Sequence, residues 1–453
     1  MKLLFVVHQF LPLHITGTEQ YVRSLALGLQ ERGHDVSVVA FEPRLNVDNP
    51  GQTVTERDDD VDGIPVRRIG IHLEVLPNRE LADYQNPLAV RLLRRYLDAN
   101  EFDLVHVFHL RYIGIGVFDE LAAVGLPTVV NLMDFWFLCP SFILLRSDGE
   151  LCEGPPEDGM GCIACVAGDL KSELDQNGLS SELHAHSLMS LTPPDLRSTP
   201  MRRASSLVGR KPRLLEALQR AGAVVAPSKF LRGMFEKNGF PAGVLRHVPY
   251  GVDPGRFGGR RKVWGASLAE QVQFGFVGSI AEHKGLHVLI DAIRRVEGDN
   301  WHLHVHGSQE THVEYSKQIE EAADGDPRIT FHGRFEPSEL GSVLENLDVV
   351  VVPSLWYENT PFSVLEAQMI GLPVLASRLG GISESIVHGR NGFLFKAGSQ
   401  RALTAAIRNI LQNPQGLPGM ELEDDIRTLA ANLDDFEELY SEQLSVASKA
   451  SDS

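Results

Sequence analysis

A chain of 453 residues is too long for one small core, so two or three domains are expected. Hydrophobic residues at 43% and charged residues at 23% make a globular composition, and the longest apolar runs fall short of a membrane-spanning helix. A net charge of −18 excludes a general nucleic-acid binder, because an acidic field opposes phosphate.

The opening MKLLFVV begins like a leader peptide, but His8, Gln9 and Pro12 interrupt it at once. A first strand of a parallel sheet fits better, and a cytoplasmic protein is expected. The loop HQFLPLHITGTEQ follows, then the helical pattern YVRSLALGLQERG, with Val22, Leu25, Ala26 and Leu29 on one face and Gly33 as its stop. The strand HDVSVVAF completes a βαβ unit. The tract from Glu42 to Gly63 is acidic and rich in turn residues, which predicts a surface excursion. Further strands are expected at FDLVHVF, PTVVNLM, AVVAPS and GVLRHVPY.

All four cysteines fall in one stretch: Cys139, Cys152, Cys162 and Cys165, spaced C-x12-C-x9-C-x2-C. Four thiolates with a closing C-x2-C suit a structural zinc. An iron–sulfur cluster is the alternative, given the Cys139-Pro140 pair, and two disulfides are a third option. The cysteine loop spans about 135–170. A mobile and then basic insert follows at about 171–215, where Arg202, Arg203, Arg210, Lys211 and Arg213, with Arg220 just beyond, concentrate positive charge. Such a patch suits anionic lipid headgroups or a lipid-pyrophosphate, with a solvated helix face as the plain alternative.

The segment GVDPGRFGGRRKVWGAS reads as a linker. A second βα series then begins near Val272 with VQFGFVG, KGLHVLIDAIRRV, WHLHVHG, RITFHG and LDVVVVPS. Alternation of strands and helices in both halves implies two parallel sheets covered on both faces. The richest stretch is Ser354 to Ile386, which follows the buried-strand pattern LDVVVVPS. Pro361 suits the first position of a helix, with Thr360 or Asn359 as its cap. Glu358 then lies in the loop before the helix and Glu366 lies within it, with the amides of the first turn between them. Phosphate oxygens bind such amides, and ligands of open parallel sheets bind at the carboxyl ends of strands. The last helical pattern, IRTLAANLDDFEELYSEQL, has no strand after it and is expected to return to the first domain, with ASKASDS frayed.

The pieces TGTEQYVRSLALGLQERGHDV, VPYGVDPGRF, FVGSIAEHKG and FHGRF, the segment from Ser354, and GGISESIVHGRNGFLF resemble, in order and spacing, a family-four retaining glycosyltransferase of group 1. The resemblance implies an α/β chain of the GT-B fold: two Rossmann-like domains facing across a cleft, with a C-terminal helix returning to the first. The expected domains are 1–255 on the acceptor side, 256–425 binding the nucleotide sugar, and 426–453 as helix and tail. A subgroup carrying a four-cysteine loop is implied.

By the same resemblance Glu358 holds donor-sugar hydroxyls and Glu366 holds the ribose. Asn359, Thr360, Pro361, Phe362, Ser363, Val364 and Leu365 border sugar and diphosphate, and Lys284 meets the diphosphate. Gly17 approaches the donor phosphate, and Asp134 orients the acceptor. Two positions depart from the family pattern. Ser279 stands where an arginine is usual, so Arg334 becomes a substitute cation, and Met133 stands where a histidine precedes the aspartate, which brings His106 and His109 into question. Lys284 and helix amides then carry the leaving-group charge, so that transfer requires no metal.

The implied partners are a nucleotide-diphosphate sugar and a glycan or lipid-linked acceptor, with peripheral membrane contact. The setting is polysaccharide or glycoconjugate assembly. A non-catalytic nucleotide-sugar binder, or a relative using phosphate or a sugar phosphate as acceptor, is the alternative.

Overall fold

The computed structural model describes residues 1–44, 54–72, 78–155, 159–166, 176, 199–264, 268, 270–420 and 426–451. They form two compact units: 1–227, 231–248 and 433–453 in the first, and 228–230 with 249–432 in the second. The division therefore falls at 248/249 and 432/433, beside the expected 255/256 and 425/426.

The first unit holds an eight-stranded sheet in the order β3-β4-β2-β1-β5-β6-β7-β8. The strands are β1 (Lys2–Val7), β2 (Asp35–Arg44), β3 (Val54–Val61), β4 (Ile64–His72), β5 (Leu104–Val107), β6 (Thr128–Asn131), β7 (Ala223–Ala226) and β8 (Arg246–His247). Leu3 to Val7 are fully buried because helices cover both faces of a parallel sheet, which explains their unbroken apolar run. The helix Gly17–Glu31 crosses from β1 to β2. Its N-terminus is closed by a capping box in which Glu19 takes the Thr16 backbone N–H at 2.7 Å and the Thr16 hydroxyl.

The tract from Glu42 contradicts the expected surface excursion where it is described. β3 and β4 form an antiparallel hairpin, turned by Asp62 and Gly63 at φ 56° and 86°. The acidic residues of β3 find cations on its partner strand, Asp58 on Arg67 at 2.9 Å and Asp59 on Arg68 at 2.6 Å.

The C-terminal helix Leu429–Ser451 joins the first unit from Leu433 onward, as expected. Gly28 permits that approach, since a Cβ there would fall 2.6 Å from Leu433 Cδ1. Arg32 binds Asp434 at 2.7 Å and also pairs with Glu437.

The second unit is a six-stranded, all-parallel sheet in the order β11-β10-β9-β12-β13-β14. Its strands are β9 (Val272–Val277), β10 (Trp301–His306), β11 (Ile329–Gly333), β12 (Val349–Val352), β13 (Val374–Ser377) and β14 (Gly392–Phe395). Alternate valines of β12 enter opposite cores, Val349 and Val351 on one face and Val350 and Val352 on the other. In each sheet the strand order reverses once, between β1 and β5 and between β9 and β12. Such reversals open a crevice at the carboxyl ends of the strands. Among the described residues no helix is long and apolar enough to cross a membrane.

Candidate functional site

The two strands flanking the reversal of the second sheet each deliver one charged residue. Lys284 ends the 3-10 turn Glu282–Lys284 after β9, and Glu358 lies in the loop after β12. Gly285 brings the two loops together, because its φ is 73° and a Cβ there would fall 2.1 Å from the Pro353 carbonyl oxygen. The Leu355 N–H donates to the His283 carbonyl at 2.8 Å across the same contact.

Glu358 is 5% exposed, and three donors converge on its Oε1: Lys284 Nζ at 2.7 Å, Ser354 Oγ at 2.7 Å and Trp356 Nε1 at 2.9 Å. The Lys284 ammonium also sits over the Trp356 ring, 5.0 Å from its centroid. Burial pushes the Glu358 carboxyl up, but the Lys284 charge and the three hydrogen bonds outweigh it and hold the group below its usual range. His283, edge-on to Trp356, is lowered to about 4 by burial and then by Lys284. Ser354, Trp356 and His283 were not singled out in the sequence, although the first two stand in the SLWYE run leading to Glu358.

The helix beyond begins at Phe362, with Pro361 as its N-cap at φ −70° and ψ 124°. The start is therefore one residue later than expected, and neither Thr360 nor Asn359 caps it, because the extended ψ of Pro361 keeps it outside the first turn. The expected row of phosphate-binding amides is also shorter: Pro361 has none, and those of Val364 and Leu365 donate to the Pro361 carbonyl at 3.0 and 3.5 Å. Ser363 lies half-buried and Thr360 likewise, while Asn359 is buried. The glycine pair closes this loop from behind. The Gly381 N–H donates to the Glu358 carbonyl at 2.8 Å, and a Cβ at Gly381 would fall 1.5 Å from the Asn359 carbonyl oxygen.

Glu366 is not brought to Lys284. It is 9% exposed and binds Arg256 Nη1 through Oε1 at 2.8 Å. Burial pushes its carboxyl up, and Arg256 opposes this without cancelling it. Ser279 and Arg334 are exposed just after β9 and β11, and neither shares a described bond with Lys284 or Glu358. The expectation that Arg334 substitutes for a missing arginine at the pair gains no contact here.

The first unit places its candidates at its own reversal. His8 follows β1, His109 follows β5 and Asp134 follows β6. The Arg111 backbone N–H donates to His109 Nδ1 at 3.1 Å, so the ring proton is on Nε2 and donates to Asp134 Oδ2 at 3.1 Å. Asp134 Oδ1 accepts the Trp136 N–H at 2.7 Å, which fixes both carboxylate oxygens. His8 lies tilted against His109, with ring centroids 4.1 Å and planes 36° apart. Its basicity is lowered well below the usual histidine range by burial, then by His109, Arg111 and His14. His8 is a residue the sequence alone did not mark as functional. Gly17 is exposed at the first position of the helix after β1. His106 takes the structural reading: it is fully buried, its Nδ1 lies 2.7 Å from the Tyr440 hydroxyl, and burial lowers it to about 3. It holds the C-terminal helix and is not presented to a ligand. Met133, in the place of the usual histidine, lies with its Sδ 2.9 Å from Asn131 Nδ2.

The basic insert divides between buried and exposed positions. The part from 171 to 198 lies, apart from residue 176, outside the described residues. Beyond it, Arg203 binds Glu80 at 2.7 Å, Arg220 pairs with Asp119, and Lys211 donates to the Pro155 carbonyl at 2.7 Å. Arg210 is 2% exposed and binds Asp83 at 3.1 Å and the Trp136 carbonyl at 2.9 Å. Arg203, Arg210 and Lys211 are thus held within the fold, whereas Arg202, Arg213 and Arg220 remain exposed.

The four cysteines stand as free thiols, with no disulfide between them in the described structure. They lie near one another: burial and then Cys139, Cys165 and Cys152 push the Cys162 thiol up to about 12. Among the described residues, however, no three His, Cys, Asp or Glu side chains stand in an arrangement able to hold a metal ion.

Comparison with known proteins bears on both halves. Residues 16–153 match the glycosyl transferase 4-like domain, and residues 271–413 match the glycosyl transferases group 1 model. Among curated relatives, the amylovoran biosynthesis glycosyltransferase AmsK of Erwinia amylovora is 28% identical over 38% of this chain and 44% of its own length. The D-rhamnosyltransferase WbpZ of Pseudomonas aeruginosa is 30% identical over 38% of this chain and 45% of its own length. The matches thus span less than half of these relatives.

Solved structures agree along nearly the whole chain. Sucrose-phosphate synthase from Thermosynechococcus elongatus aligns with a TM-score of 0.65 at 17% identity, covering 98% of this chain and 99% of that one. Anabaena HepE in complex with UDP and glucose aligns at 0.62 and 15% identity, covering 97% and 99%. With matches of one kind on both sheets and a shared architecture, the chain has the GT-B fold and is similar in both halves to the group 1 glycosyltransferases.

Proposed function

We propose that this protein is a retaining glycosyltransferase moving a sugar from a nucleotide-diphosphate sugar to a glycan or lipid-linked acceptor, in polysaccharide or glycoconjugate assembly. The observation that carries the reading is the Lys284–Glu358 pair at the reversal of the second sheet. A departing nucleoside diphosphate accumulates negative charge, and a fixed ammonium at a strand end stabilises it without reorganisation. Lys284 thus meets that charge without requiring a divalent metal.

Glu358, held ionised, is a poor general acid, and its crowded Oε1 makes it a poor nucleophile. It serves as an acceptor for sugar hydroxyls, with Oε2 turned to that use. Attack by the acceptor hydroxyl on the face the diphosphate leaves, with a donor phosphate oxygen taking the hydroxyl proton, accounts for retention using these groups alone. Asp134, fixed by His109 and Trp136, orients that hydroxyl. The names of AmsK and WbpZ and the UDP in HepE support a polymer-building role and a nucleotide donor.

Calorimetry and initial rates test the division of labour. Glu366→Ala is expected to weaken nucleoside diphosphate binding, whereas Glu358→Ala lowers turnover and leaves that affinity in place. Unchanged affinity in Glu366→Ala sinks the ribose assignment. The exposed Ser279 favours a second reading, a nucleotide-sugar binder without transfer. Slow donor hydrolysis without acceptor supports the enzyme; tight binding with no turnover across an acceptor screen supports the binder. For the cysteine loop we retain a structural zinc as a proposal, on the C-x12-C-x9-C-x2-C spacing alone, with an iron–sulfur cluster as the alternative. Metal analysis of anaerobically purified protein decides it, and a folded, metal-free sample refutes it.

A further inference from the structure

The segment read as a linker is a strap on the donor helix. Tyr250 stacks on Phe362 with ring centroids 4.9 Å apart and planes 23° apart. Phe257 is buried in the same core as Val364 and Ala367. The Lys262 N–H donates to the Ile370 carbonyl at 2.7 Å, just past the helix end. Gly341 admits the strap, because a Cβ there would fall 2.8 Å from the Phe257 carbonyl oxygen. Both flanks of Arg256 are therefore tied down, and the turn Pro254–Phe257 is itself capped by Asp253, whose side chain takes the Gly255 N–H at 2.8 Å. Arg256, carried on that turn, reaches Glu366 at 2.8 Å while its guanidinium remains 22% exposed.

We infer that Arg256 is a positioning residue of the donor site, which holds Glu366 as an oriented carboxylate for the two ribose hydroxyls and so selects ribonucleotides. The inference rests on the reading of Glu366 as the ribose acceptor. A carboxylate accepts from both hydroxyls of a diol, whereas a carboxylic acid must spend one oxygen as a donor. Glu366 lies in surroundings that favour the acid: burial raises it, and among the described residues the opposing charge comes from Arg256. The guanidinium also occupies Oε1 with a charge-assisted bond, which restrains the carboxylate at one oxygen. Asp253 on the strap is engaged with its own turn, and Lys262 pairs with Asp348 at 2.8 Å, so neither competes for Glu366.

Calorimetry with ADP, GDP and UDP identifies the best-bound nucleotide, and its 2′,3′-dideoxy form is the control. Arg256→Gln is expected to weaken the ribonucleotide about tenfold at pH 7, from loss of one charge-assisted bond, and to leave the dideoxy form unchanged. Raising the pH should recover part of the loss as Glu366 ionises without its counter-charge, and Arg256→Lys should lie between. In a Glu366→Gln background Arg256→Gln should have no further effect, with wild-type melting behaviour confirming the fold. Unchanged ribonucleotide affinity in Arg256→Gln at pH 7, or equal losses for ribo and dideoxy forms, overturns the inference. If Glu366→Gln itself leaves the ribo-over-dideoxy preference intact, it is the donor-site reading that fails.

Discussion

The loops after β9 and β12 and the loops after β1, β5 and β6 hold the same topological position in two sheets, at or beside the reversal of strand order. Their chemistry differs. The second sheet presents an ion pair, Lys284 with Glu358, and a second pair, Arg256 with Glu366. The first presents His8 and His109 as imidazoles in tilted contact, with Asp134 fixed by His109 and a backbone amide. Topology explains where a ligand can sit; the side chains decide which ligand. Fixed cations suit a diphosphate, while a neutral imidazole and an oriented carboxylate suit a hydroxyl.

The largest expected effect comes from removing the cation. Lys284→Gln leaves a buried Glu358 without its counter-charge and the leaving group without its ammonium. Turnover should fall about a hundredfold to a thousandfold, measured as sugar transfer or donor hydrolysis, with weaker nucleoside diphosphate binding. Wild-type turnover in this variant would break the comparison at its charged end.

A smaller effect is expected from His109→Ala, which frees one oxygen of Asp134. Turnover should drop about tenfold to a hundredfold, with nucleoside diphosphate affinity unchanged by calorimetry. A matching loss of nucleotide affinity would show that the two reversals do not divide the work.

Acid titration should give the smallest signal, and it sharpens the contrast because both sheets carry uncharged histidines. On β10, His304 and His306 are lowered to about 4, by burial first and then by the neighbouring imidazoles. The unfolded chain takes up these protons near pH 6.5, whereas the folded one resists until about 4. Their stabilising contribution is therefore complete above pH 6.5, declines as the pH falls toward 4, and levels off below. Denaturant melts across that range read the slope, and His304→Gln should make it shallower. An unchanged slope would remove the histidine face as its source.

Much of this was visible in the order of residues. The run LDVVVVPS had to be a strand buried on both faces, and Glu358 and Lys284 stood in loops after such strands, with Glu366 on the helix beyond. The hairpin of β3 and β4 was hidden because Asp58, Asp59 and Asp60 are poor strand formers, and their pairing with Arg67 and Arg68 overrides that tendency. Its turn, Asp62-Gly63, was the signal available. The arginines near 210 misled in the opposite direction. Their charge looked like a surface patch, yet Arg210 is buried against Asp83, a residue 127 positions earlier.

By itself the sequence determined whatever depends on neighbours within a few residues: the period of apolar residues, the proline near a helix start, and the glycines that allow close turns. It also placed Lys284, Glu358 and Asp134 in loops after strands and Glu366 on the helix that follows one of them. Only the tertiary structure decided their partners. Lys284 and Glu358 are 74 residues apart, and Arg256 and Glu366 are 110 apart. Parallel strands joined by helical crossovers bring such distant loops to one edge of a sheet, and a single chain position carries no mark of which loop it will meet. The ionisation state of each carboxylate follows from that meeting, because burial and counter-charge arise together only when the chain has folded.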